Sequence, residues 1–156
     1  MADVTEPRWT HVALPVKDLD RSVAFFEALT PLVLVKRNEN DTLRGAWLSN
    51  AEQVETPFVL VLGEFKGDEG RKFGLEPGAP ISILTPWAHL GMEFPTREEV
   101  DQIAAKAREM GLEFAWGPMD MGGDIGYTVG IIDPDGNTIE FTHDQKVFAT
   151  IRELWG

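Results

Sequence analysis

The sequence predicts an α+β chain of two paired βαβββ modules that form one curved mixed sheet around a central cleft. Three observations lead there. An internal repeat opens each half on a histidine, a helix cap follows each histidine at the same distance, and Asp133-Pro134-Asp135-Gly136 writes a closing hairpin.

The repeat comes first because self-similarity constrains architecture more than any single motif. His11-Val12-Ala13-Leu14-Pro15-Val16 stands beside His89-Leu90-Gly91-Met92-Glu93-Phe94, each a short strand-like segment beginning at His. Seven residues after each His comes a helix N-cap candidate, Asp18 and Thr96. Thr96-Arg97-Glu98-Glu99 reads as a capping box, with Glu99 reaching back to the cap's backbone N–H. The first helix is expected to bury Leu19, Val23, Phe26 and Leu29, the second Val100, Ile103, Ala107 and Met110. Pro31 stops the first and Gly111 the second.

Strand candidates follow each helix. In the first half they are 32–37, 45–49 and 58–62; in the second, 113–116, 126–132 and 138–142. In the turn 133–136, Pro presets its backbone angle and Gly takes the left-handed position, so the last two strands form a hairpin. The expected organisation is a first module over 8–65, a loop over 66–87, a second module over 88–144 and a C-terminal helix over 145–156. The loop is rich in Gly and Pro; a loop of that length is either functional or a solvated linker. The tail carries Val147, Ile151, Leu154 and Trp155 at helical spacing, a pattern that suits a packing helix or a dimer contact.

Composition narrows the function. With 156 residues, 43% apolar, and nine Phe, five Trp and one Tyr, the chain can build a real core. No apolar run approaches the roughly 20 residues of a membrane span. Met1–Glu6 lacks the basic start and apolar stretch of a signal peptide, so the expectation is a cytoplasmic protein. There is no cysteine, hence no disulfide and no thiolate metal site. A net charge of -12 argues against nucleic acid, whose phosphates it would repel, and is compatible with a cationic ligand.

Only three histidines occur, and two stand at matching positions of the repeat, His11 and His89. A lone strand histidine is an ordinary packing or surface residue; a pair at equivalent points of two modules suggests convergence on the shared cleft. Glu140 is the third candidate. It alternates with Ile139 and Phe141, which should pack under the helices, leaving Glu140 on the concave face or simply in solvent. Two His and one carboxylate make an open-sided site for a divalent transition metal. His143 falls on the other parity and is set aside.

Three stretches carry a resemblance. His11-Val12-Ala13-Leu14-Pro15-Val16-Lys17-Asp18-Leu19-Asp20-Arg21-Ser22-Val23-Ala24-Phe25-Phe26 resembles the opening of vicinal-oxygen-chelate proteins, the glyoxalase, bleomycin-resistance and extradiol-dioxygenase group. Trp87-Ala88-His89-Leu90-Gly91 looks like the start of their second module, and Ile132-Asp133-Pro134-Asp135-Gly136-Asn137-Thr138-Ile139-Glu140 is similar to their closing hairpin, whose Glu is a metal ligand. The resemblance spans about residues 9–144. It implies the glyoxalase/bleomycin-resistance-type fold, one divalent ion (Zn, Fe, Mn, Ni or Co) on His11, His89 and Glu140, and a homodimer. It also implies a small-molecule substrate whose two adjacent oxygens chelate the metal.

Departures sort the subfamilies. A glyoxalase I would carry a Glu ligand on the strand at 58–62, which has no carboxylate; Glu64 lies just beyond it. Ring-cleaving dioxygenases would carry a Tyr where Gly130 stands and a further active-site His. Fosfomycin-modifying thiol transferases hold an anion with basic and hydroxyl residues where Asp120, Asp124 and Gly130 stand here. The expected function is therefore a metal-dependent, glyoxalase-like lyase or isomerase. The alternative is a non-catalytic acidic dimer that binds a cationic ligand or drug, which Trp47, Trp87 and Trp116 would suit. Candidate catalytic residues are Glu93, on the parity of His89, and Tyr127, at the end of a glycine-rich rim; Asp124 and Trp47 are candidates for substrate contact.

Overall fold

The computed structural model describes residues 7–55, 57–79, 81–85 and 87–156; the leader reading of residues 1–6 lies outside these. The element order is β1 (His11–Pro15), α1 (Leu19–Leu29), β2 (Val33–Glu39), β3 (Leu43–Ser49), β4 (Val59–Phe65), β5 (His89–Glu93), α2 (Arg97–Glu109), β6 (Phe114–Asp120), β7 (Tyr127–Ile132), β8 (Thr138–His143) and α3 (Val147–Trp155). This is strand–helix–strand–strand–strand twice, as expected. Hydrogen bonding sorts the strands into two four-stranded sheets, ordered β1-β4-β3-β2 and β5-β8-β7-β6. The chain divides into two compact units between Ile81 and Ser82, inside the joining loop, where a short 3-10 turn forms at Glu69–Phe73.

The same local chemistry builds each unit. In the first, the Asp18 side chain accepts from the backbone N–H of Arg21 and α1 lays Leu19, Val23, Phe25, Phe26 and Leu29 onto the sheet. Leu14, Ala46, Leu48, Leu60 and Leu62 meet it from one sheet face, a consequence of the period-2 alternation along β1, β3 and β4. β1 and β4 run parallel, with His11 opposite Val59 and Ala13 opposite Val61.

In the second unit the Thr96–Glu99 capping box forms in full. The stripe that α2 buries is Val100, Ala104 and Ala107; Met110, expected inside, is 42% exposed because it is the C-cap residue, past the last helical turn. Val129, Ile131, Ile139 and Phe141 are the sheet's half of that core. The closing turn is as written: the Gly136 N–H donates to the Asp133 carbonyl, Gly136 is left-handed at φ 91°, and the Asp133 carboxylate accepts from the N–H groups of Asp135 and Asn137. That turn locks the β7–β8 register, with Ile132 opposite Thr138 and Gly130 opposite Glu140. The expectation that the tail packs is corrected. No residue of α3 is buried, and Val147, Phe148, Leu154 and Trp155 are all more than half exposed.

Candidate metal centre

His89 opens β5 and Glu140 sits in the middle of β8, its parallel neighbour. The register puts His89, Gly91 and Glu93 on one sheet face with Thr138, Glu140 and Thr142, and the antiparallel β7 adds Thr128 and Gly130. This is the face away from α2. Glu140 is nonetheless 6% exposed, so the solvent-facing reading of that side chain is overturned.

Each donor is held from behind. His89 Nδ1 lies 2.7 Å from the Trp87 carbonyl oxygen, which can only accept, so Nδ1 carries the proton and donates. In the neutral ring that leaves Nε2 as a bare lone pair. Glu140 Oε1 accepts from the Thr128 hydroxyl at 2.8 Å, leaving Oε2 free. Nε2 and Oε2 then face each other across 3.3 Å. Two acceptors in that arrangement repel unless a cation, a proton or a metal ion, joins them. Ligand bonds of about 2.0–2.2 Å to one ion place cis donors roughly 3–3.4 Å apart, so the pair has the spacing of two ligands on one ion. The donor set fits a divalent metal, and the fixed Nδ1 is the usual support for a metal-binding imidazole.

The other expected residues divide. His11 lies in the first unit, on the face of β1 shared with Val59, Val61 and Trp47, with Nδ1 2.9 Å from the Thr10 hydroxyl. Within the second unit the structure joins two of the three expected ligands, His89 and Glu140. Trp47 is 39% exposed beneath the Lys36 ammonium, which stands 4.8 Å from its ring centre. Glu93 is half-buried on the His89 face. Asp124 is exposed on the loop between β6 and β7, where its carbonyl accepts from the Lys146 N–H.

Tyr127 is a correction. It lies opposite His143, on the face turned to α2, and its hydroxyl bonds Asp101 at 2.5 Å while the Arg97 guanidinium covers its ring at 3.9 Å. The Asp101 carboxylate raises its pKa, because a phenolate there would face a negative charge, and burial adds to the effect. Counting back from the hairpin turn would have revealed this: if Gly130 pairs with Glu140, Tyr127 has the wrong parity.

The repeat also pairs Glu140 with a position of the first unit. Matching His11 to His89 makes Val61 the counterpart of Glu140. Glu64 is on the opposite face, where Oε2 accepts from the Leu19 N–H and from Arg44, both at 2.8 Å. Arg44 also bonds Asp20, and this contact holds the Asp20 carboxyl below its ordinary range. Glu64 is thus a helix-anchoring residue.

Sequence reasoning missed Thr128, and gave Trp116 only a ligand-binding role, not its place beside His89. The Trp116 indole N–H donates to Thr128 Oγ1 at 3.1 Å, and its ring stands edge-on to His89 with centroids 5.7 Å apart. Thr128 was within reach of the same register count. Trp116 was not, because β6 slips register on both sides of it.

Residues 8–141 match the family model of the Glyoxalase/Bleomycin resistance protein/Dioxygenase superfamily. An uncharacterized protein of Pseudomonas aeruginosa is 30% identical over 142 residues, covering 90% of this chain and 91% of that protein. Among solved structures, the trypanothione-dependent glyoxalase I of Leishmania major aligns with a TM-score of 0.63 at 20% identity, over 95% of this chain and 94% of that one. The fosfomycin resistance protein FosX of Listeria monocytogenes, as a mutant complexed with Mn(II) and a dihydroxypropylphosphonic acid, aligns with a TM-score of 0.63 at 15% identity, over 96% of this chain and 99% of that one. Both structural likenesses concern the fold.

Proposed function

Since the chain belongs to the glyoxalase/bleomycin resistance/dioxygenase superfamily, we propose that it is a metal-dependent lyase or isomerase of the glyoxalase-like type, acting on a small molecule with two adjacent oxygens. His11, His89 and Glu140 are the proposed ligands, and the ion is one of Zn, Fe, Mn, Ni or Co. The observation that carries the reading is the His89–Glu140 pair, two acceptors facing at 3.3 Å with each partner atom already engaged behind. When bound, a divalent ion would act as a Lewis acid on the substrate oxygens.

The chain's own residues supply the rest. Glu93 shares the His89 face and is the proposed base, its carboxylate taking a proton from the oxygen-bearing carbon next to the substrate carbonyl and delivering it to the neighbouring carbon. Val61, where a fourth ligand would sit by the logic of the repeat, leaves that position apolar and coordination open for substrate. Trp47, on the His11 face, and Asp124, on an exposed loop, are the proposed substrate contacts. A homodimer and a cytoplasmic location belong to the same reading. No described helix is long and apolar enough to cross a membrane.

Elemental analysis of protein purified without chelator tests this. Near one equivalent of transition metal in the wild type, lost in Glu140→Ala and in His11→Ala, is the expected result. No metal in the wild type, and none taken up on addition, would overturn it in favour of a non-catalytic acidic ligand-binding dimer.

A further inference from the structure

We propose that Trp116 and Thr128 are positioning residues of the metal centre, a hydrogen-bond relay that decides which oxygen Glu140 offers; this rests on the metal reading above. The direction of the relay follows from the donors. An indole N–H only donates, so Thr128 Oγ1 accepts from Trp116 at 3.1 Å. The hydroxyl keeps its own proton, and Glu140 Oε1 receives it at 2.8 Å. Thr128 is fully buried, so water does not compete for either bond. Each bond polarises the next, and Oε1 is tied back while Oε2 remains aimed at His89 Nε2.

The same indole touches the second donor. Its ring lies over Gly130, where an added Cβ would come within 2.6 Å of it, and stands at 80° to the His89 imidazole. One side chain therefore restrains both donors, one by contact and one through a hydroxyl. A packing role alone would not call for the hydroxyl in between. The first unit supplies the comparison. By register the counterparts of Trp116, Thr128 and Glu140 are Lys36, Gly45 and Val61. Where the repeat has no carboxylate, it has no relay either.

The test is Co²⁺ binding by calorimetry, with the visible Co²⁺ spectrum as a second readout of coordination. Thr128→Val is expected to weaken binding about 10–100-fold and to change the spectrum, as loss of a partner behind a ligand does. Thr128→Ser, which keeps the hydroxyl, should stay within about threefold of wild type. Trp116→Phe, which keeps a ring and loses the N–H, should weaken binding about fivefold, and carries the test if Thr128→Val fails to fold. Wild-type affinity and spectrum in Thr128→Val or Trp116→Phe, with binding lost in Glu140→Ala, would overturn the relay and leave the metal reading standing. Absence of Co²⁺ binding in the wild type would overturn both.

Discussion

Gly91 stands directly across from Glu140 on the neighbouring parallel strand, and a Cβ added there would lie 3.3 Å from Glu140 Oε2. The close approach falls on the oxygen left free for a ligand, not on the one tied to Thr128. Gly91→Ala is expected to push that oxygen aside and lower metal affinity about tenfold, the lower end for disturbing a ligand's support. Its melting temperature should hold or rise, because alanine removes unfolded-state freedom where the backbone is already extended. Calorimetric titration beside a thermal melt separates the two effects. An unchanged affinity would mean the carboxylate yields at no cost.

Thr142 Oγ1 is the only buried side-chain polar atom without a hydrogen-bond partner among the described residues. It sits on the Glu140 face, opposite Thr128 and Glu93, and Thr142 is fully buried. Thr142→Val should stabilise the fold by about 1 kcal/mol, since it removes a desolvated hydroxyl and keeps the shape. At this chain length that raises the melting temperature by roughly 2–4 °C. A fall instead would show that an ordered water serves the hydroxyl.

Tyr127 is the single tyrosine, so tyrosinate absorbance reports it alone. The Asp101 hydrogen bond, then burial, raise its pKa, while the Arg97 guanidinium opposes them less strongly. The titration midpoint of the folded protein should lie above the ordinary value near 10. A folded-state pKa above the unfolded one contributes stability below the unfolded pKa, and that contribution is lost as pH rises through the folded value. A midpoint at or below that of the unfolded chain would contradict the Asp101 contact.

Much of the architecture could be read from local pattern. Both caps, both helix stops, the eight strands in order and the closing turn are written in short-range chemistry that the tertiary structure leaves intact. The failures share a cause. Met110 obeys helical spacing yet lies beyond the last turn, and α3 carries an apolar pattern that the described residues leave unburied. The glycine-rich neighbours of Tyr127 suggest a rim, whereas its register in the hairpin turns it to the other face.

Periodicity, caps and turn chemistry thus determined the α+β class, the repeat and the parity of Glu140, because each depends on residues a few positions apart. Tertiary structure decided that Glu140 is buried, that Thr128 takes one of its oxygens and that the other faces His89. It also turned Glu64 toward α1 and Tyr127 toward Asp101. Those choices depend on which side chains meet across strands and helices far apart in the chain, and on the cost of leaving a buried polar atom unpaired.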